Sequence, residues 1–419
     1  MALGSAGDVH PVVGLALALA GRGHRVTVAT NPQFEPLVRR VGLGFEAVGS
    51  AEELRCAMED PDLWHPTRGL RFMIDYLLLP KLDLLYDMAA AFASQDDAVI
   101  VAPCTALGAR VAQEKLGLRL VTFHLQPSVL RSMHDTPVLG PWQLGRWAPR
   151  PLKRLQFQLV DWLLIDRLIN RGLTDFRARH GLAPVRHIAD RWWNAPDRVI
   201  GLFPDWFAPL QPDWPPQVVL TGFPLWDETG YSPVPAQLEA FLAAGSPPIV
   251  FTPGSAMLHG HEFFSEAVAA CKRLRQRGVL LTRHPEQLPD RLPDEVLHVE
   301  FVPLSWLAPR SAAIVHHAGI GTLAQGLAAG IPHLAMPMSH DQPDNAARLR
   351  RLGVGLTLPP KQFRAPRIAA ALDELLGSSE VLARCRGLAD RFERGTALER
   401  TCQEIENVGK SRTAAPLAK

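Results

Sequence analysis

The sequence has 419 residues, of which 47% are apolar and 21% charged, and this length exceeds what one hydrophobic core usually supports. Its 44 basic and 42 acidic residues are well mixed, and the net charge of +2 excludes a general attraction to nucleic acid. Five scattered cysteines without a C-x-x-C pair argue against a disulfide framework and a zinc site. No apolar run reaches the roughly 18 to 20 residues of a membrane span and no signal-peptide pattern opens the chain, so we expect a soluble cytoplasmic protein.

A glycine-rich turn followed by a helical pattern opens the chain. Residues 4–9 form the turn, and glycines at 21 and 23 end the helix, as in the first βαβ unit of a doubly wound sheet. Asp8 stands at the helix start, where it either caps the helix or faces the ligand crevice of such a fold. Only three residues precede Gly4, whereas a strand needs about five or six. We therefore expect either a start that is set too late or a short central strand.

Short apolar or β-branched runs alternate with longer helical patterns over nearly the whole chain. Such alternation is typical of βαβ units and parallel sheets, so the predicted fold class is α/β. The runs fall into two groups, the first at 25–30, 98–102, 119–123 and 198–203, and the second at 217–221, 249–252, 279–282, 312–316 and 333–336.

The stretch 203–235 between the two groups is rich in proline and tryptophan, which indicates an irregular connector. We therefore predict two Rossmann-like, doubly wound domains that face each other across a cleft. The predicted boundaries are an N-terminal domain at 1–210, a linker region at 211–235, a C-terminal domain at 236–385, and a C-terminal helix with a flexible tail at 386–419.

Residues 141–173 combine basic and aromatic side chains with apolar residues at helical spacing, among them Trp142, Arg146, Trp147 and Arg154. The spacing predicts a helix docked on its own domain, with its lysines and arginines in solvent. A helix on a membrane surface is the alternative, because such helices also pair apolar and basic residues.

The segment 312–342 carries the densest pattern of candidate ligand-binding residues. It reads as a strand, a glycine turn, a helix beginning near Thr322, a second strand and a polar loop. Gly319 and Gly321 let the backbone approach a ligand closely, and the helix N-terminus presents unpaired N–H groups and a positive dipole end. His317 and Thr322 add side-chain donors. The segment therefore predicts an anion site that suits a diphosphate.

Two parts of this segment are also compatible with a different role. Two adjacent histidines at a strand end also occur as one core residue and one surface residue. The pattern Gly319-x-Gly321-x-x-Ala324 also matches the dinucleotide-binding fingerprint, with Asp341 about 20 residues on as a ribose ligand. That fingerprint normally opens a fold, whereas this turn lies far into the second half of the chain.

The segment resembles the donor-binding signature of the family 1 inverting glycosyltransferases, which have the GT-B fold and use UDP- or dTDP-sugars on small-molecule acceptors. The resemblance implies that the C-terminal domain binds the nucleotide sugar and the N-terminal domain the acceptor. The residues implied for the diphosphate are His317, Gly319, Gly321, Thr322 and Ser255. Those implied for the nucleobase and ribose are Phe301, Val302 and Gln325, and those implied for the transferred sugar are Asp341 and Gln342.

Many members of this family have Gly-His-x-x-Pro near the start of the chain, with the histidine as catalytic base. Here Gly7-Asp8-Val9-His10-Pro11 puts Asp8 at that position, as in a subset of bacterial members. A carboxylate within hydrogen-bond reach can take the proton of an attacking hydroxyl. The helix end and its side-chain donors would stabilise the leaving diphosphate, so this mechanism requires no metal ion, and no cofactor is expected beyond the nucleotide sugar as co-substrate.

Taken whole, the sequence is similar to the bacterial rhamnosyltransferases of rhamnolipid synthesis, over 4–9, 201–209, 221–225 and 340–349. The similarity implies transfer of L-rhamnose from dTDP-L-rhamnose to a hydroxyl of a lipid-like acceptor, in the cytoplasm and with the inner face of the membrane as a further contact. Sterols, carotenoids and polyketides are alternative acceptors. A nucleotide-sugar 2-epimerase and a non-catalytic binding protein are the alternatives from other classes. Candidate acceptor contacts are His10, His124 and Gln126.

Overall fold

The computed structural model describes residues 1–65, 67–139, 143–145, 147–194, 197–393 and 395–410. These residues form two compact units. The first contains 1–4, 12–224 and 395–410, and the second contains 5–11 and 225–393. The chain thus passes from the first unit to the second inside the predicted linker 211–235, and the segment predicted as a separate C-terminal part is divided between the two. The predictions on Trp142, Arg146 and the tail 411–419 lie outside the described residues.

The first unit is built on parallel strands with helices between them. Its elements are α1 (Ala6–Gly21, with its first turn in the second unit), β1 (Thr27–Thr30), α2 (Glu35–Arg40), β2 (Gly44–Ala47), α3 (Ala51–Glu59), α4 (Gly69–Phe72), α5 (Leu82–Ala90), β3 (Val99–Pro103), α6 (Leu107–Leu116), β4 (Arg119–His124), α7 (Arg150–Val160), α8 (Asp166–Arg179), β5 (Arg198–Gly201), β6 (Val218–Leu220) and, after the second unit, α16 (Thr396–Lys410).

The first unit has a four-stranded sheet of order β3-β4-β5-β6 and a two-stranded sheet of β1 and β2, all parallel. Residues 1–3 lie between the two sheets. Ala2 N–H donates to Ala29 O at 2.8 Å, and the terminal ammonium of Met1 donates to Val101 O at 2.6 Å. No strand is assigned to 1–3, so these residues bridge β1 and β3 where the expected central strand would stand.

The second unit has one six-stranded parallel sheet with helices on both faces. Its elements are α9 (Ala236–Ala243), β7 (Ile249–Thr252), α10 (His261–Leu274), β8 (Gly278–Leu281), β9 (Val296–Val299), α11 (Leu304–Leu307), β10 (Ala313–His316), α12 (Ile320–Ala329), β11 (His333–Ala335), α13 (Gln342–Leu352), β12 (Gly355–Thr357), α14 (Ala365–Gly377) and α15 (Ser379–Ala389).

The strand order of this sheet is β12-β11-β10-β7-β8-β9, so the chain starts at β7 in the middle, builds outward to β9 and then returns to β10 on the other side of β7. Two apolar clusters cover its two faces. One holds Phe251, Phe264 and Leu372, and the other holds Val250, Leu307 and Ile314. The carboxyl ends of β7 and β10 therefore flank the switch point where open α/β sheets bind ligands.

The predicted α/β class with two Rossmann-like parallel sheets is confirmed, but three strands were missed, and the run 217–221, predicted for the second group, is β6 in the sheet of the first unit. These strands, β2, β9 and β12, have only three or four residues and lie at sheet edges. Edge strands are covered less completely than central ones, so they lack the continuous apolar runs that reveal buried parallel strands. Among the described residues, no helix combines the length and the hydropathy needed to cross a bilayer.

Candidate active site at the switch point of the second unit

The glycine turn after β10 forms the floor of the candidate site. Ala318 has a left-handed backbone with φ of 68°, and Gly319 is the N-cap of α12, which begins at Ile320, two residues before the predicted position near Thr322. Thr322 is thus the third residue of the helix, and the backbone N–H groups of its first turn have no partner within the helix. The turn and the helix end together present the donors that an anion requires.

His317 lies against the two glycines that flank the switch point. A Cβ atom added to Gly254 would lie 2.6 Å from Cε1 of the ring, and one added to Gly319 would lie 2.2 Å from Nε2. Burial lowers the pKa of His317 to about 4, although a hydrogen bond with the backbone of Thr252 opposes the shift. The ring is therefore neutral at physiological pH and has a single N–H, which can donate either to the Thr252 backbone or to a phosphate oxygen.

The preceding histidine, His316, holds the turn from below and was not singled out by the sequence. Ala318 N–H donates to His316 Nδ1 at 3.1 Å, so the proton of the neutral ring is on Nε2. His316 Nε2 lies 3.0 Å from His333 Nδ1, to which it then donates. His333 consequently carries its own proton on Nε2, which has no hydrogen-bond partner among the described residues. Burial keeps the pKa of both rings well below the usual range, to about 3 for His333, so both are neutral.

Asn345 fixes the same turn from the opposite side. Its Nδ2 donates to Ala318 O at 3.0 Å and to Asp341 Oδ2 at 2.6 Å. Both hydrogen-bonding groups of the strained Ala318 residue are therefore occupied, its N–H by a histidine and its carbonyl by an asparagine. This clamp, formed by His316 and Asn345 around Ala318, sets the conformation in which the α12 N–H groups point into the site.

Asp341 and Gln342 open α13, where the sequence placed the contacts to the transferred sugar. Gln342 is buried, and its Oε1 accepts from Met338 N–H at 2.8 Å, so this side chain closes the loop before the helix. Burial raises the pKa of Asp341 to about 7, and the negative charge of Asp8 contributes to the same shift. The predicted base and the predicted sugar ligand are therefore neighbours.

Asp8 occupies the first turn of α1, in the part of that helix that belongs to the second unit. Its Oδ2 accepts from Ser5 N–H at 2.8 Å and from Ser5 Oγ at 3.2 Å. Asp8 is the third residue of α1, so its carboxylate binds the residue in front of the helix and does not occupy the N-cap position itself. Burial nevertheless raises the pKa of Asp8 to about 6. A Cβ atom on Gly321 would lie 3.7 Å from Gly7 Cα, which places the start of α1 beside the glycine turn.

Of the remaining residues predicted to bind the nucleotide sugar, some are accessible to solvent and others are buried. Ser255 is exposed directly after Gly254, and Phe301 is half-buried with the Arg283 guanidinium 4.8 Å above its ring centroid. Val302 is 2% exposed and packs in one of the apolar clusters, so its backbone alone can serve a nucleobase. Gln325 is buried in α12, one turn after Thr322.

The candidate acceptor residues belong to different units. His10 lies in the second unit, where its Nε2 is 3.0 Å from Glu228 Oε1 and its ring makes edge contacts with Trp226 and Phe301. The sequence analysis missed Glu228, Trp226 and Arg283, because nothing in their local pattern links them to this site. His124 belongs to the first unit and is buried.

His124 has a partner inside the first unit. Its Nε2 is 2.9 Å from Asn194 Oδ1, and burial lowers its pKa to about 4. It is only 2% exposed, so its ring is part of the core of the first unit in this structure. Gln126, two residues later, is partly exposed.

Both ends of the chain match models of glycosyltransferase-related domain families. Residues 1–134 match the glycosyltransferase family 28 N-terminal domain, and residues 277–405 match the erythromycin biosynthesis protein CIII-like C-terminal domain. The O-mycaminosyltylonolide 6-deoxyallosyltransferase of Streptomyces fradiae is 30% identical over 426 residues, which cover 99% of this chain and 98% of the relative.

Two further similarities extend this result. The sterol 3-beta-glucosyltransferase UGT80A2 of Arabidopsis thaliana is 29% identical over 412 residues, covering 91% of this chain and 62% of the relative. The solved structure of the glycotransferase of kitacinnamycin has the same fold, with a TM-score of 0.74, 22% identity and 97% of each chain covered. Since the relatives are glycosyltransferases, the epimerase and the non-catalytic alternatives are set aside. This chain is a member of the glycosyltransferases that join a family 28 N-terminal domain to an EryCIII-like C-terminal domain, and it is an enzyme of the GT-B fold.

Proposed function

We propose that the enzyme transfers a 6-deoxyhexose, L-rhamnose from dTDP-L-rhamnose, with inversion to a hydroxyl of a lipid-like small molecule at the inner face of the membrane. The observation that carries the proposal is the grouping of Asp8, His317 and Asp341 around the glycine turn. The name of the Streptomyces fradiae relative supports the sugar class, because 6-deoxyallose and rhamnose are both 6-deoxyhexoses.

In this proposal the second unit holds the donor by its diphosphate. The N–H groups at the start of α12, the neutral ring of His317 and the hydroxyl of Thr322 donate to the phosphate oxygens. The same groups stabilise the negative charge that grows on the leaving diphosphate, and the mechanism requires no metal ion or other cofactor. Ser255 lies after β7 on the neighbouring side of the switch point.

The proposed chemical step is a direct displacement. The acceptor oxygen attacks the anomeric carbon, the bond from that carbon to the diphosphate oxygen breaks, and Asp8 takes the hydroxyl proton. Asp341 and Gln342 are the proposed contacts to hydroxyls of the sugar. Phe301, with Arg283 above its ring, is the proposed stacking partner of the nucleobase.

The test is mass-spectrometric detection of product after incubation of the purified protein with dTDP- and UDP-sugars and with hydroxylated lipids and sterols. We expect a rhamnosylated lipid that disappears with His317→Ala and with Asp8→Asn. Glucosylated sterol would instead support the function in the name of the Arabidopsis relative. Absence of transfer from every donor by a folded protein, with donor binding undetectable, would refute the proposal.

A further inference from the structure

The helix α7 presents a row of leucines to solvent while its lysine is buried. Leu152, Leu155, Leu159 and Trp162 follow one another at intervals of three or four residues, which places them on one face of a helix. Their exposed fractions are 50%, 51%, 43% and 70%. We call this surface the leucine ridge.

The opposite face of α7, and of the π-helical segment Asp161–Ile165 that continues it, is held by polar contacts. Lys153 is buried and its Nζ donates to Met133 O at 3.3 Å, and Asp161 is buried in an ion pair with Arg131. The same arginine lies over the ring of Phe157 at 5.5 Å. These contacts orient the helix, so the leucine ridge faces outward because its other face is the one anchored. The prediction of a helix docked on its own domain with its lysines and arginines in solvent is therefore wrong for Lys153, and the leucines of α7 face outward.

The exposed charges on the segment that carries the leucine ridge are of one sign, and the exposed Asp190 of the neighbouring segment 188–192 is paired with Arg191. Over the described residues 147–171, the charged side chains that are exposed are all arginines, namely Arg150, Arg154, Arg167 and Arg171. Asp161 is buried, and Asp166 accepts hydrogen bonds from the backbone N–H groups of His187 and Ile188. A second copy of the chain docked ridge to ridge would therefore place arginines against arginines, which is unfavourable.

We propose that the leucine ridge docks into the interface of an anionic lipid bilayer. Helices that lie in that interface combine an apolar face with flanking arginines, and exposed tryptophans favour the headgroup level. Trp162 lies on the ridge, and Trp147, which precedes α7, is 99% exposed. The leucines enter the boundary of the acyl chains while the arginines pair with lipid phosphates. This placement is independent of which sugar or acceptor the enzyme uses.

The first test is co-flotation of the full chain with vesicles of phosphatidylcholine, alone or with added phosphatidylglycerol. We expect binding to the anionic vesicles, weakened at least about tenfold by the double variant Leu155→Ser/Leu159→Ser. The matched control Leu116→Ser/Leu210→Ser removes two leucines that are 41% and 57% exposed elsewhere on the same unit, and it should bind like the parent. Equal binding by the ridge variant and the parent would overturn the proposal.

The second test separates the charges from the apolar contacts. Arg150→Gln and Arg154→Gln should each weaken binding roughly fivefold and reduce its salt dependence. Sedimentation velocity of the parent and of Leu155→Ser/Leu159→Ser tests whether a second copy of the chain binds the leucine ridge instead. A dimer that the ridge variant converts to a monomer would assign the surface to a second copy and overturn the bilayer proposal, as would failure of the parent to bind anionic vesicles.

Discussion

At the scale of single residues, the site depends on ionisable groups that burial has moved away from their usual pKa. The pKa of Asp8 is raised to about 6 and that of Asp341 to about 7, while the pKa of His317 is lowered to about 4. Near neutral pH, the site therefore contains a carboxylate able to accept a proton and a neutral imidazole with one N–H to donate. Burial is the largest cause of all three shifts. The same loss of solvent thus raises the proton affinity of the carboxylates and keeps the imidazole neutral.

The first prediction concerns the pH dependence of transfer. The proposed base works only as a carboxylate, so kcat/KM should rise with pH, pass half of its plateau near the pKa of about 6 and level off above it. Asp8→Asn should lower kcat by roughly 10² to 10⁴ and remove this rising limb. Donor affinity, measured by titration calorimetry, should change little. A rising limb that persists in the Asn variant would assign the titration to another group, with Asp341 the first to examine.

The second prediction concerns the clamp around Ala318. A non-glycine residue with positive φ costs about 1 to 3 kcal/mol and persists only when its surroundings hold it. Asn345→Ala removes the donor to the Ala318 carbonyl, so donor binding should weaken by about tenfold while the unfolding temperature changes modestly. Asn407→Ala, an exposed asparagine on α16, is the control. An unchanged dissociation constant for the donor would show that His316 alone suffices to hold the turn.

At the scale of elements, the loop after β7 and the loop after β10 are fitted to each other. Gly254 has φ of 99°, and any side chain there meets the ring of His317. The two strands are adjacent in the sheet, so the clash cannot be relieved without moving one of the loops. Gly254 and Gly319 thus both leave the space that the ring of His317 occupies.

The third prediction follows from this fit. Gly254→Ala should weaken donor binding by about tenfold or more, because the ring that contacts the phosphate is displaced. Gly23→Ala provides a matched control, since Gly23 has a similar φ of 91° but open space around the position of a Cβ atom. Gly254→Ala should lose more stability in thermal melts, because it adds the clash to the same backbone strain, and only Gly254→Ala should lose affinity in calorimetry. Equal affinity losses would indicate a general effect of backbone strain.

At the scale of the whole molecule, the chain returns to the first unit after completing the second. The helix α16 packs on the sheet of the first unit, against β3, β4 and β5. Thr401 Oγ1 donates to Thr221 Oγ1 at 2.7 Å, and Arg22 forms a two-pronged ion pair with Glu406. The helix α16 at the end of the chain therefore completes the packing of the first unit.

The fourth prediction tests this closure. Ile405 is 5% exposed on α16, so Ile405→Ala should lower the free energy of unfolding by about 2 to 4 kcal/mol. Gln403→Ala, on the exposed face of the same helix, should be nearly neutral. Chemical denaturation monitored by circular dichroism measures both. Equal, small effects would mean that α16 contributes little to the stability of the first unit.

The amino-acid sequence alone determined the features that depend on neighbouring residues. Alternating apolar runs predicted most of the strands, and the run from His317 to Thr322 predicted a turn and a helix end suited to an anion. The glycine-rich start of the chain identified Asp8. These signals are short-range, because periodicity and turn chemistry act within a few residues.

The tertiary structure decided the features that depend on the path of the chain. It brought Asp8 beside Asp341, joined His316 to His333 by a hydrogen bond, and placed Trp226 and Glu228 around His10. It also turned the leucines of α7 outward, since the contacts of Lys153 and Asp161 with distant residues anchor the other face. Each of these arrangements depends on contacts between residues far apart in sequence, so a local sequence pattern does not predict it.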